Sequence, residues 1–205
     1  GDNSSYSTGA RKTYSSFSPS PTTLVNTRRI GSPPLTPTIP DGVTVPDVEM
    51  FQLSELYGAV KVTGQKGRLR YGLMSAFEED TRIHGQSDLG EHVLVQTGRD
   101  FGILRLSYED TSQGQRGLGW MTTAVLHDSR DAIVHGVDAH YISPSTRWRA
   151  DLQLMYSDIQ DVVEGDTNGY GGLIDLVYKP RQGTRHTLKF DYLDEDIEIN
   201  DLGFA

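Results

Sequence analysis

The chain has 205 residues, 36% hydrophobic and 23% charged, with a formal net charge of −9 and no cysteine. Without cysteine there is no disulfide framework and no thiolate metal site, and an acidic chain makes no nucleic-acid partner. No apolar run approaches the ~20 residues of a membrane helix, so strands are the only candidate route across a bilayer.

Residues 1–50 differ from the rest. They are rich in Ser, Thr and Pro, with Pro19, Pro21, Pro33, Pro34, Pro37, Pro40 and Pro46. Proline removes a backbone donor and fixes φ, so this stretch sustains no helix and pairs poorly as strand. It reads as an extended lead segment, either a linker or a plug lying against a barrel wall. Arg28 and Arg29 point to opposite sides of an extended chain. As plug anchors they would pair with inward carboxylates such as Asp151 or Asp175.

Residues 51–205 read as strand after strand. Spanning candidates run over 55–64, 68–79, 101–110, 117–128, 132–142, 146–157, 169–179 and 184–194. Their length of about 11 residues is twice that of the usual soluble strand. It is close to the length of a membrane strand. On one face of 146–157 lie Trp148, Ala150, Leu152, Leu154 and Tyr156, and on the other Arg147, Arg149, Asp151, Gln153 and Met155. The next strand repeats the pattern, with Tyr170, Gly172, Ile174, Leu176 and Tyr178 on the apolar side. Aromatics eight residues apart bracket an aliphatic centre, which at the usual rise and tilt spans roughly 20 Å along a membrane normal.

The outward, lipid-facing girdle is therefore Tyr71, Trp120, Trp148, Tyr156, Tyr170, Tyr178 and Tyr192. The inward, lumen-lining set is Arg68, Arg70, Arg105, Asp138, His140, Arg147, Arg149, Asp151, Asp175 and Lys189. Gly72, Gly117, Gly119 and Gly171 share that inner side and leave room there. Short turns at 65–67, 111–116, 143–145 and 180–183 alternate with long polar segments at 79–100 and 158–168 and a short one at 129–131. This is the rhythm of an up-and-down barrel, provided that Val93–Val95 belongs to an outer hairpin. After Asp194, the residues Ile197, Ile199, Leu202 and Phe204 suggest another strand.

Two stretches carry a family resemblance: Thr27-Arg28-Arg29-Ile30-Gly31 with Pro33, and Ile199-Asn200-Asp201-Leu202-Gly203-Phe204, with Gly136-Val137-Asp138 between them. Together they resemble a poorly characterised family of Gram-negative outer-membrane β-barrels, over roughly residues 27–204. In that family a carbohydrate-binding-module-like domain precedes a large barrel. The resemblance implies that this chain is the first part of such a barrel, located in the outer membrane of a Gram-negative bacterium. It also implies carbohydrate as a candidate ligand, and supplies no catalytic residues.

No cluster argues for catalysis. The six histidines lack ligand spacing, and Asp138 with His140 reads as polar lining. Gly114–Gly117 and Gly169–Gly172 open no helix, so neither is a phosphate loop. The acidic run Asp194-Glu195-Asp196, with Glu198 and Asp201, could attract calcium but reads first as a solvated strand end. No metal and no cofactor are expected. The expectation is an all-β, antiparallel, up-and-down transmembrane β-barrel, the N-terminal part of a larger one. It would be porin-like and non-catalytic, serving solute passage or binding. Its partners would be membrane lipid and the remaining part of the barrel or partner subunits. The competing reading is a soluble all-β, carbohydrate-binding module. A barrel-embedded hydrolase would need a catalytic cluster that the sequence does not offer.

Overall fold

A computed structural model describes residues 24–203; the lead-segment reading for residues 1–23, and Phe204, lie outside that range. Ten strands form: β1 (Leu56–Lys66), β2 (Leu69–Glu78), β3 (Thr81–Ser87), β4 (Gly90–Gln96), β5 (Asp100–Asp110), β6 (Gln115–Leu126), β7 (Arg130–Ile142), β8 (Trp148–Asp161), β9 (Thr167–Arg181) and β10 (Thr184–Leu193). Eight of them make one antiparallel sheet in the order β1-β2-β5-β6-β7-β8-β9-β10. β3 and β4 form a separate hairpin, so Val93–Val95 lies outside the main sheet as expected. Among the described residues the one α-helix, α1 (Asp47–Met50), sits beside β3. Among the described residues no helix is long and apolar enough to cross a membrane, which says nothing about crossing with strands.

The sheet does not close into a barrel: β1 and β10 are its two edges. Strands β6 to β9 follow the alternation read from sequence, whereas the edge strands β1 and β10 are exposed along most of their length. In β8, Asp151, Gln153, Met155, Ser157 and Ile159 are buried while Trp148, Leu154 and Tyr156 are exposed. Side chains of a strand point alternately to opposite faces, so one register serves the whole length. At Gly67 the chain needs φ of +61°, which glycine reaches without a Cβ penalty, and a two-residue turn joins β1 to β2.

Several expectations change. The long polar segment at 158–168 is mostly strand, because β8 runs to Asp161 and β9 starts at Thr167. The described tail after Asp194, as far as Gly203, forms no strand. It turns back under the sheet, because Ile199 and Leu202 find burial there, at 4% and 2% exposure. The described part of the lead segment does the same with Leu24, at 1%. The core is accordingly made on one face only. One cluster joins Ala76, Phe101, Val125, Ala132, Ile159 and Leu202 with Ile30 against it. The other joins Leu24, Met121, Val134, Met155 and Ile199.

Candidate functional site

The inner face changes character along the strands. Near the short turns, cross-strand register places Glu109, Gly117, His140, Asp151, Asp175 and Lys189 in one row across β5 to β10. Toward the other end the rows become apolar, ending in Phe101, Val125, Ala132 and Ile159, under the lead and tail segments.

The polar row is held by ion pairs within a strand, between neighbouring strands and across an intervening one. Arg105 on β5 reaches over Gly119 to Asp138 on β7, with Nη1 and Oδ1 2.6 Å apart but off the line of a hydrogen bond. His140 lies over Gly117 in the same way, its Nε2 3.8 Å from Glu109, which Arg70 approaches to 3.3 Å. Arg149 Nε donates to Asp151 at 2.7 Å, and Lys189 lies 3.6 Å from Asp175. Of the glycines expected on this side, Gly117 and Gly119 are slots that each admit a long side chain from the next strand, Gly171 is covered by Leu193, Ile197 and Met155, and Gly72 has only the Thr63 methyl beside it. Asp151 and Asp175 stand directly opposite one another, an unfavourable like-charge pair that Arg149 and Lys189 offset from either side.

Eight expected inner residues therefore share this face: Arg70, Arg105, Asp138, His140, Arg149, Asp151, Asp175 and Lys189. Arg68 and Arg147 do not. Both lie in turns rather than on strands, exposed at the rim, because β2 begins at Leu69 and β8 at Trp148. Arg68 pairs there with Asp110 at 3.1 Å.

The girdle residues Tyr71, Trp120, Trp148, Tyr156, Tyr170, Tyr178 and Tyr192 all project from the opposite face. Tyr178 is half-buried, because it stacks on Trp148 with centroids 4.1 Å apart. They form two rows. His186 and Tyr178 continue from Trp148 near the short turns. Trp120, His135 and Tyr156 stack at the far side of the aliphatic band, joined there by the Tyr170–Tyr192 pair. His135 belongs to the outer rows and was not singled out from sequence.

Arg28 and Arg29 do not act as the expected anchors. They lie in a 3-10 turn, Thr27–Arg29, and among the described residues neither meets Asp151 or Asp175, which Arg149 and Lys189 occupy. The segment is held otherwise. Leu24 fills the space that a side chain at Gly136 would need. Gly31 N–H donates to Glu78 Oε1 at 2.8 Å, and Arg99 binds both Glu78 (Nε to Oε2, 2.8 Å) and the Ser32 carbonyl (3.1 Å). Asn26 N–H donates to the Leu202 carbonyl at 2.6 Å, so the two stretches that carry the family resemblance meet on the inner face.

The tail is clasped by Arg130, whose Nε donates to Asp201 at 3.0 Å while Nη1 donates to Asp161 at 2.9 Å. Backbone packing adds to this: residues 196–197 occupy the space beside Gly169. Asp161 lies beyond the aliphatic band. The backbone N–H of Glu164, then Arg130 and the N–H of Val163, hold its pKa down at about 2. Asp201 does most to raise Arg130 above its ordinary value. With Asp201 committed to Arg130, the acidic tail has no metal-like grouping. Among the described residues no three His, Asp or Glu side chains could hold a metal ion.

Glu78 was read on the inner side of its strand, but its partner Arg99, the residues Arg130 and Asp161 and the sockets at Gly136 and Gly169 were not found from sequence. The ion-pair partners are 21 to 71 residues distant and Leu24, which fills the Gly136 socket, is farther still, and no local pattern marks them.

A search of curated proteins and a search of solved structures each return no match. Residues 20–205 match the family described as Domain of unknown function (DUF5916), and the chain belongs to that family.

Proposed function

We propose that this chain forms part of the wall of an outer-membrane β-barrel that passes or binds a solute, with segments 24–54 and 194–203 as an internal cover. The observation that carries the reading is the inversion of the two faces. Leu73, Leu118, Leu154 and Phe190 are 46%, 58%, 46% and 59% exposed, while Asp138, Asp151 and Asp175 on the other face are 6%, 8% and 6% exposed. A large exposed apolar surface calls for a partner medium. A bilayer core between two aromatic rows is such a medium. Strands of ten to fifteen residues have the length to cross it.

A soluble sandwich would need a second sheet over this face. Among the described residues, the second sheet is the β3–β4 hairpin, and it is tied instead to residues 43–52, through the Thr44–Gln86 bridge and Glu49. The open edges fit the barrel reading when further strands complete the ring, since unpaired strand amides in hydrocarbon cost several kcal/mol each. The lead and tail segments would then lie in the lumen. The charged row near the short turns mixes both signs, so the reading assigns the interior no preference for one ion sign.

The test compares Leu154→Arg with Gln160→Arg during refolding into phosphatidylcholine vesicles. Both positions are exposed and outward on β8, but Gln160 lies past Tyr156. In lipid, Leu154→Arg should cost ~2–4 kcal/mol and Gln160→Arg ~0–1. On a water-exposed surface both would fall within about 0.5 kcal/mol of wild type. That second result would sink the barrel reading.

A further inference from the structure

Cations at the short-turn end of the sheet divide into two groups. Arg68 and Arg116 both meet Asp110, at 3.1 and 2.6 Å, Arg70 approaches Glu109 to 3.3 Å, and Arg149 binds Asp151 at 2.7 Å. Arg147, Lys179, Arg181 and Arg185 differ: all four are exposed, and among the described residues none forms an ion pair. Arg181 and Arg185 each make only a long hydrogen bond, 3.3 Å, to a nearby threonine. These four line one cleft of about 570 Å³ between the β7–β8 and β9–β10 turns, with Thr146 and Thr184 beside them and no carboxylate in its wall.

The cleft belongs to the inner side of the sheet. Lys179 and Arg181 continue the face of β9 that carries Asp175 and Val177, opposite to Tyr178. Arg185 lies on the face of β10 opposite to His186, which stacks on Tyr178 in the outer row, and its Nε donates to Thr187 on that same inner face. Arg147 joins them at the rim, where its carbonyl accepts from the Lys179 N–H at 2.8 Å. The charged row further in, Asp151, Asp175 and Lys189, mixes both signs, whereas the rim above it carries one. Thr146, beside Arg147, is the one non-glycine residue at positive φ among the described residues, at 55°. That conformation is costly for a β-branched side chain, and such strain gathers at ligand sites.

Four like charges around one cleft repel one another and have no counter-charge of their own. A guanidinium fork takes two oxygens of an oxyanion at once, and hydroxyls add further donors. At neutral pH a phosphate group brings a charge of about −1.5 to −2 and three acceptor oxygens. A carboxylate brings a single charge and two oxygens. The cleft matches the phosphate better on both counts.

We propose that this cleft binds the phosphate group of a small solute, either inorganic phosphate or a phosphate monoester. As a site it stands on the cleft alone; as the class of solute received at a lumen mouth it rests on the barrel reading above.

The experiment titrates the full-length protein in detergent with glycerol 3-phosphate, inorganic phosphate, glycerate and glycerol, by calorimetry in dilute chloride buffer. The two phosphates should bind about fivefold or more tighter than glycerate, with no heat from glycerol and weaker binding at high salt. Tighter binding of glycerol 3-phosphate than of inorganic phosphate would assign the site to the ester, and equal or weaker binding to the free ion, each in keeping with the proposal. The combined variant Arg147→Gln, Lys179→Gln, Arg181→Gln, Arg185→Gln should lose binding while its circular dichroism stays that of wild type. Arg147→Gln alone should weaken binding about threefold or more. Lys66→Gln, which removes the same charge from the same end but outside the cleft, should leave binding unchanged. No phosphate binding by wild type, glycerate binding as tight as phosphate, or equal losses in Arg147→Gln and Lys66→Gln would each overturn the proposal. Insertion of the same preparation into phosphatidylcholine vesicles is scored separately. Binding without insertion keeps the site and brings down the barrel reading, and insertion without binding does the reverse.

Discussion

The two faces of the main sheet use the same backbone and opposite chemistry. The outer face shows leucine, isoleucine and stacked aromatics, with few polar groups between them. The inner face buries charge where an opposite charge is within reach, in two places through a glycine slot: Arg105 over Gly119 to Asp138, and His140 over Gly117 toward Glu109. Burying a charge is costly unless it is paired. The inner face therefore depends on specific partners, whereas on the proposed reading the outer face depends on a medium. Substitutions on the inner face should act through one named partner, and those on the outer face through depth in the band.

The largest effect expected is at Asp138. Asp138→Ala leaves the Arg105 guanidinium buried over Gly119 with no counter-charge and should cost about 3–5 kcal/mol. Replacing both residues with leucine should recover most of it. Urea unfolding of the two variants against wild type measures this, and equal losses in the single and double variants would show that the pair is not what holds the inner face. Next is Leu202→Ala, which opens a cavity beneath Phe101 and Ile159 and should cost about 3 kcal/mol by the same measurement. The exposed Leu188→Ala on the outer face should be nearly silent in water and more costly in lipid.

Gly136→Val tests the socket. The new side chain competes with Leu24 for one space, so overpacking of about 1–3 kcal/mol is expected. Limited trypsin digestion should then cut faster at Arg28 and Arg29 while the sheet stays intact. Unchanged cleavage would mean that Leu24 does not hold the lead segment.

The smallest effect is pH-dependent. Asp161 is held at a pKa of about 2, below the ordinary carboxylate value of 3.8. A depressed acid contributes stability above its unfolded value and loses it as pH falls through the folded one. The Arg130 clasp on the tail should therefore loosen between about pH 4 and pH 2. Hydrogen exchange at the Val163 and Glu164 amides, which donate to Asp161, should rise over that window relative to the β7 interior. Asp161→Asn should show the loosened behaviour already at neutral pH.

The strands, their pairing partners and their two faces were legible in the sequence because all three rest on a local rule. Trp148, Leu152 and Tyr156 against Asp151 and Gln153 decide the orientation of β8 without reference to any other strand. Gly117 and Gly119 were legible as space but not as slots, since the side chains that enter them come from neighbouring strands. Arg147 was placed one residue too deep, on the strand instead of in its turn, because alternation alone does not say where pairing stops.

Alternation of period two decided by sequence alone that this chain is an antiparallel all-β protein with one apolar and one polar face. Only the tertiary structure decided what lies against the polar face. Leu24, Ile30, Ile199 and Leu202 belong to irregular segments with no period to read, so their burial follows from the shape of the sheet beneath them. The Arg130–Asp201 and Arg99–Glu78 clasps join residues far apart in the chain. Such contacts form because a buried charge needs a partner within a few ångströms, and only the folded chain brings those partners together.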